Sequence, residues 1–197
     1  MNKTLVVATR NPGKLLEIEA CLEGLNWSIK SLADYDDAPT IVEDGDTFEE
    51  NATKKAVTIC NRYNIPTLSD DSGLVVDALG GKPGVHSARY GSSDLDDAGR
   101  ARLLLENLDS VSPELRTARF QTVMIFATPG KTPAVFEGKM EGRISAAPRG
   151  DSGFGYDPVF IPEGMSLTIA ELGAKVKNEI SHRAKALEEF ATYLKKL

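Results

Sequence analysis

Two carboxylates stand side by side in the stretch LSDDSG at 68–73, Asp70 and Asp71, between an apolar run and a glycine. An aspartate at the end of a strand in an α/β protein can hold Mg²⁺ through one or two oxygens while phosphates and water complete the octahedron. If the extended backbone persists, Asp70 and Asp71 point to opposite sides and only one of them faces a site. An Asx-type turn before Gly73 gives the same residues a purely local use, but adds little reason for the second aspartate.

Three further segments carry residue types suited to a phosphorylated ligand. TRNPGK (Thr9, Arg10, Asn11, Pro12, Gly13, Lys14) joins an apolar run to a helix-like stretch. A polar turn there directs backbone N–H groups and the positive helix end at one spot, which favours phosphate, with Lys14 as an added charge. It is neither a Walker A sequence nor GxGxxG, and a capped helix with a solvated lysine fits as well. VEDGDTFEENATKKA (42–56) places Glu43 before a turn, and its helix brings Asn51 and Lys55 four residues apart on neighbouring positions. A lysine on an apolar stripe is costly unless it meets an anion or snorkels to water. Finally, GDSGFGYDP (150–158) offers Phe154 and Tyr156 as flat surfaces for a base, Gly155 for close approach and Asp157 as an acceptor. KNEISHR (177–183) puts His182 and Arg183 at a helix start, suited to a phosphate or a purine carbonyl, or to plain solvation.

The elements that must position these residues follow from periodicity and punctuation. A strand over 4–8, a helix from Leu15 to Glu23 closed by Gly24, and a strand over 27–32 come first. Thr47 and Glu50 have capping-box spacing, and the helix they open carries Phe48, Ala52, Ala56 and Ile59 on one face. Pro66–Ser69 and Leu74–Leu79 read as extended, 94–108 as helical, and 117–128 with 134–145 as neighbouring strands around Pro129-Gly130. Ile180, Ala184, Leu187, Ala191 and Leu194 mark a final amphipathic helix. Helices mixed with strands indicate an α/β chain on a mixed sheet, one domain over 1–197.

In that order and spacing, TRNPGK, EDGDTFEENATKKA, LSDDSGLVVDALGGKPGVHSARY, GFGYDPVF and KNEISHR closely resemble the inosine triphosphate pyrophosphatase family, over nearly the whole chain. The resemblance implies hydrolysis of non-standard purine nucleoside triphosphates (ITP, dITP, XTP) to the monophosphate and pyrophosphate, with Mg²⁺ as cofactor. It implies an elongated mixed β-sheet flanked by helices, in two lobes with a nucleotide-binding cleft between them, and a cytoplasmic homodimer. By position, Thr9, Asn11 and Lys14, within the loop that also holds Arg10, Pro12 and Gly13, would grip the triphosphate together with Lys55. Glu43 and Asp71 would flank the metal, with Asp71 the proposed base, and Ser72 would touch substrate. Phe154, Gly155, Tyr156, Asp157, Lys177, His182 and Arg183 would hold the purine. The family commonly has glycine where this chain has Arg10. A Mg²⁺-dependent monoester phosphatase and a non-catalytic nucleotide binder are the competing readings.

Composition agrees with a small-molecule partner. At 41% hydrophobic and 26% charged, 197 residues can bury a full core. A net charge of −6 argues against a broad footprint on polymeric nucleic acid or an anionic membrane. The N-terminus lacks the apolar core of a signal peptide, and Cys21 and Cys60 read as reduced core residues without metal-ligand spacing.

Overall fold

The chain begins with β1 (Lys3–Val7), whose last three residues are fully buried, and passes through α1 (Pro12–Leu22) to β2 (Trp27–Ser31). The structure is a computed structural model that describes residues 3–92 and 94–197. After an irregular acidic stretch come α2 (Phe48–Tyr63), β3 (Thr67–Val76), α3 (Asp97–Asn107) and the neighbouring strands β4 (Thr117–Ala127) and β5 (Ala134–Ile144). The chain ends with β6 (Phe160–Pro162), α4 (Ile169–Ile180) and α5 (His182–Leu194).

One six-stranded sheet runs in the order β2-β1-β3-β4-β5-β6. Strand β1 pairs in parallel with both β2 and β3, whereas β6 runs antiparallel to β5, so the sheet is mixed as expected. Parallel neighbours require a crossover, which α1 and α2 supply. Because β2 and β3 lie on opposite sides of β1, the strand order reverses there, the place where open α/β sheets leave a crevice at the carboxyl ends of their strands. Register completes the arrangement: Val7 pairs with Leu68, so Asp70 and Asp71 extend beyond the end of β1, beside the segment where TRNPGK begins.

Packing divides the chain into two compact units. The first comprises Met1–Asp71, Thr122–Gly138 and Arg183–Leu197, and the second Ser72–Gln121 and Lys139–His182. The core of the first gathers Leu5, Val7, Ile18, Leu68, Phe126 and Phe190. That of the second gathers Leu74, Leu104, Phe120, Tyr156 and Phe160.

Several expectations are corrected. LSDDSG is neither a strand end nor a turn but the middle of a ten-residue strand, buried along almost its whole length. The strand stops at Val76, and Asp77–Leu79 is a 3-10 turn instead of extended backbone. Cys21 lies on the exposed side of α1, so only Cys60 is a core thiol. The last helix starts at His182, and Ile180 belongs to α4, a helix the periodicity does not reveal. Gly173 interrupts α4 at φ 80°, ψ 172°, a conformation almost confined to glycine, and shifts the phase of its apolar face. A Thr168–Glu171 capping box did mark its start.

Candidate active site

Period-two alternation along β3 sorts its polar side chains between two neighbourhoods. The Ser69 hydroxyl donates to the Ala52 carbonyl of α2 at 2.6 Å, and Asp71, on the same face, also meets α2. Asp70 points the other way, toward α1 and α5.

On the α2 side, Asn51 Nδ2 donates to Asp71 Oδ2 at 3.1 Å, while Lys55 Nζ stands 3.9 Å from Asp71 Oδ1. Lys55 also donates to Glu43 Oε2 at 2.7 Å. The buried lysine has therefore found anions and does not snorkel. Thr122 Oγ1 donates to the Asp71 carbonyl at 3.2 Å and fixes the backbone beneath the carboxylate. Burial pushes the Asp71 carboxyl above the ordinary aspartate range, against the opposing pull of Lys55 and Lys14.

Asp70 is 2% exposed and bound by cations: Lys14 Nζ lies 2.8 Å and Arg183 Nη2 3.4 Å from Asp70 Oδ2. Arg183 also pairs with Glu17 of α1. Burial alone would raise the Asp70 carboxyl, but Lys14, Arg183 and Lys55 together hold it well below the usual carboxylate range. Burial draws the Lys14 ammonium below its ordinary value, with Asp70 opposing.

The loop between β1 and α1 is tightly capped. Asn11 Oδ1 accepts from the Gly13 and Lys14 N–H groups at 2.9 and 3.2 Å, and Asn11 N–H donates to Thr9 Oγ1 at 3.1 Å. The donors expected to point at phosphate are thus bonded to the Asn11 cap, with Pro12 at the first helical position. Arg10 turns outward, its guanidinium 3.3 Å from the Ala38 carbonyl.

The second unit assembles most of the residues assigned to the purine. Asp157 is buried and accepts from Phe154 N–H at 2.9 Å and from Lys177 Nζ at 2.8 Å. The same ammonium lies 3.9 Å from the Phe154 ring centroid, a cation–π contact. His182 stacks on Phe120, centroids 5.1 Å apart and planes at 11°. Gly155 N–H donates to Asp97 Oδ2 at 2.7 Å, and Ser72 is half-buried. Tyr156 departs from expectation: its ring belongs to the apolar core, its hydroxyl donates to the Ser87 carbonyl at 2.8 Å, and burial pushes its phenol strongly upward. Phe154 remains the half-buried ring of the pair. Arg183 pairs with Asp70 and Glu17 and is grouped with them in the first unit.

Sequence reasoning named Asn51 only as a neighbour of Lys55 and gave Glu17 and Asp97 no role. An asparagine in the first turns of a helix behind a glycine-containing loop was the available signal for the first. Nothing local marks the other two, whose partners are distant in the chain.

Among the described residues no group of three or more His, Cys, Asp and Glu side chains is placed to hold a metal. Glu43 and Asp71, converging on Lys55, make a two-carboxylate oxygen set, which suits Mg²⁺ that arrives with phosphates and keeps part of its water.

A parallel β-α-β unit that sets lysines and carboxylates around the strand-order reversal defines an α/β protein with charged groups where open α/β sheets bind ligands. The Ham1 family model matches residues 5–193, and the chain belongs to that family. It is 51% identical over 185 residues to the dITP/XTP pyrophosphatase of Geobacillus kaustophilus, covering 94% of this chain and 91% of that protein. A second dITP/XTP pyrophosphatase, from Geobacter sulfurreducens, is 53% identical over 184 residues (93% and 92% covered). Among solved structures, a HAM1 protein from Coxiella burnetii superposes with a TM-score of 0.92 at 38% identity, covering 99% of this chain and 100% of that one. The Staphylococcus aureus Ham1 protein gives 0.90 at 32% identity, with 98% and 99% covered.

Proposed function

We propose that this protein hydrolyses non-standard purine nucleoside triphosphates, ITP, dITP and XTP, to the monophosphate and pyrophosphate. The observation that carries the reading is the division of the two aspartates: Asp70 is saturated by cations, whereas Asp71 stands with Glu43 and Lys55 and carries a raised pKa. Only the second arrangement combines an acceptor for a proton with a cation for phosphate oxygens. Relatives named dITP/XTP pyrophosphatase at about half identity support the substrate class.

In this reading Glu43 and Asp71 would hold Mg²⁺, which when bound would neutralise phosphate charge and make the α-phosphorus more electrophilic. Asp71 orients a water and accepts its proton as the water attacks and pyrophosphate leaves. Lys55 and Lys14 counter the remaining charge, Lys14 moving its ammonium from Asp70 to phosphate. Thr9, Asn11, Pro12, Gly13 and Arg10 shape the loop. Ser72 contacts substrate, and Phe154 with Gly155, Asp157, Lys177 and His182 receives the purine. Donors there favour the six-carbonyl of inosine and xanthine and oppose the amino group of adenine. Tyr156 supports the pocket from the core, and Arg183 seats α5 against Asp70 and Glu17 within the first unit.

The same reading has the chain acting as a homodimer in the cytoplasm, where its nucleotide substrates are. Two free cysteines suit a reducing compartment, and cell fractionation would decide the location. No helix among the described residues is long and apolar enough to cross a membrane.

The decisive experiment is product analysis with ITP and Mg²⁺. The expected products are IMP and pyrophosphate in equal amounts; orthophosphate without pyrophosphate would make the protein a phosphatase, and binding without turnover a nucleotide sensor.

A further inference from the structure

We propose that Asn51 and Gly45 form an amide clamp that sets the spacing of Glu43 and Asp71, which makes both positioning residues for the metal-side carboxylates. The inference rests on the reading of those carboxylates given above.

Asn51 is 1% exposed, and its amide binds in two directions at once. Its Oδ1 accepts from Gly45 N–H at 2.8 Å, and its Nδ2 donates to Asp71 Oδ2 at 3.1 Å and reaches the Gly45 carbonyl at 3.4 Å. A single side chain therefore ties the loop that carries Glu43 to the strand that carries Asp71. Lys55, one turn further along α2, repeats the pattern with its 2.7 Å bond to Glu43 and its 3.9 Å approach to Asp71. Asp71 is thus met from two successive positions of one rigid helix, and Glu43 is held directly by Lys55 while Asn51 holds its loop at Gly45.

Two chemical details suit metal binding better than simple packing. A neutral amide satisfies Asp71 Oδ2 without cancelling its charge, so the carboxylate keeps its attraction for a cation while its rotation is stopped. The loop also approaches α2 so closely that a β-carbon on Gly45 would lie 2.8 Å from Glu50 Cβ and 2.9 Å from Asn51 Oδ1. Glycine is required at 45 for the clamp to close.

The test compares full-length wild type with Asn51→Ala, Asn51→Asp and Gly45→Ala. Asn51→Asp keeps the shape and the acceptor for Gly45 N–H but removes the donor to Asp71. Folding is verified by circular dichroism, ITP turnover gives kcat and KM, and electron paramagnetic resonance follows Mn²⁺ binding in the presence of inorganic pyrophosphate. Each folded variant is expected to lose about 10- to 100-fold in kcat and in Mn²⁺ affinity. The KM for ITP should stay within about threefold of wild type, because the phosphate loop is untouched. A folded variant with wild-type Mn²⁺ affinity overturns the clamp, whatever its kcat. If Asn51→Ala fails to fold, Gly45→Ala and Asn51→Asp carry the same comparison. Wild type that binds Mn²⁺ without turning over ITP would refute the proposed activity and still leave the clamp decided by the variants, whereas wild type that binds no Mn²⁺ overturns the clamp.

Discussion

Adjacent aspartates of identical chemistry acquire opposite properties through backbone alternation alone. Asp71 sits beside an amide and a lysine at a distance, so burial dominates and its carboxyl rises; Asp70 meets Lys14 and Arg183 directly, and its carboxyl falls. Substituting asparagine at each position separates the roles. Asp71→Asn is expected to lower kcat by roughly 10²- to 10⁴-fold, the range of general base catalysis, with the melting temperature retained. For the wild type, kcat/KM should fall on acidification as the Asp71 carboxylate takes up a proton, because the base must be unprotonated. Asp70→Asn is expected to act on stability instead, costing about 3 to 5 kcal/mol at neutral pH by stranding the buried Arg183 and the half-buried Lys14. The sign of its pH dependence follows from the depressed pKa: the stabilisation is present above the unfolded value of about 3.9 and is lost as pH falls through the folded value below it. Chemical denaturation of both variants from pH 7 to pH 3 measures this, and a gap between Asp70→Asn and wild type that widens on acidification would contradict the assignment.

At the scale of elements, the helices that present the site are fixed at their ends. Thr47 and Glu50 close a capping box on α2, the helix that carries Asn51 and Lys55. Thr47→Ala should cost about 1 kcal/mol. Gly173→Ala, in the interrupted α4 that presents Lys177, should cost about 1 to 3 kcal/mol because alanine does not tolerate that backbone. Urea titrations read both. A Gly173→Ala protein as stable as wild type would remove the explanation for the break in α4. Much at this scale was legible: the α1 cap, the α2 capping box, the strands around Pro129-Gly130 and the buried face of α2 all depend on neighbours within a few residues. Strand β5 shows its alternation because one of its faces meets water. Strand β3 conceals its continuity because both faces are covered, so its polar centre reads as a break in sequence.

At the scale of the whole molecule, a chain of net charge −6 sets Lys14 and Lys55 directly beside carboxylates, the two cations that the proposed function assigns to phosphate. For the proposed homodimer, sedimentation equilibrium is expected to return about twice the 21.3 kDa chain mass. A concentration-independent mass of one chain would remove the dimer from the reading. The five ordered motifs determined the family, because residue types and their spacing are written directly in the chain. Local signals also determined caps, turns and most helix faces, since those interactions span three or four residues. Tertiary structure decided what pairing over long separations controls: that LSDDSG is one buried strand, that Asp70 belongs to Lys14 and Arg183, that Tyr156 is core, and that Asn51 joins Gly45 to Asp71. Those outcomes depend on register and on which helix covers which face, and the partners lie up to 113 residues apart, beyond the reach of any local pattern.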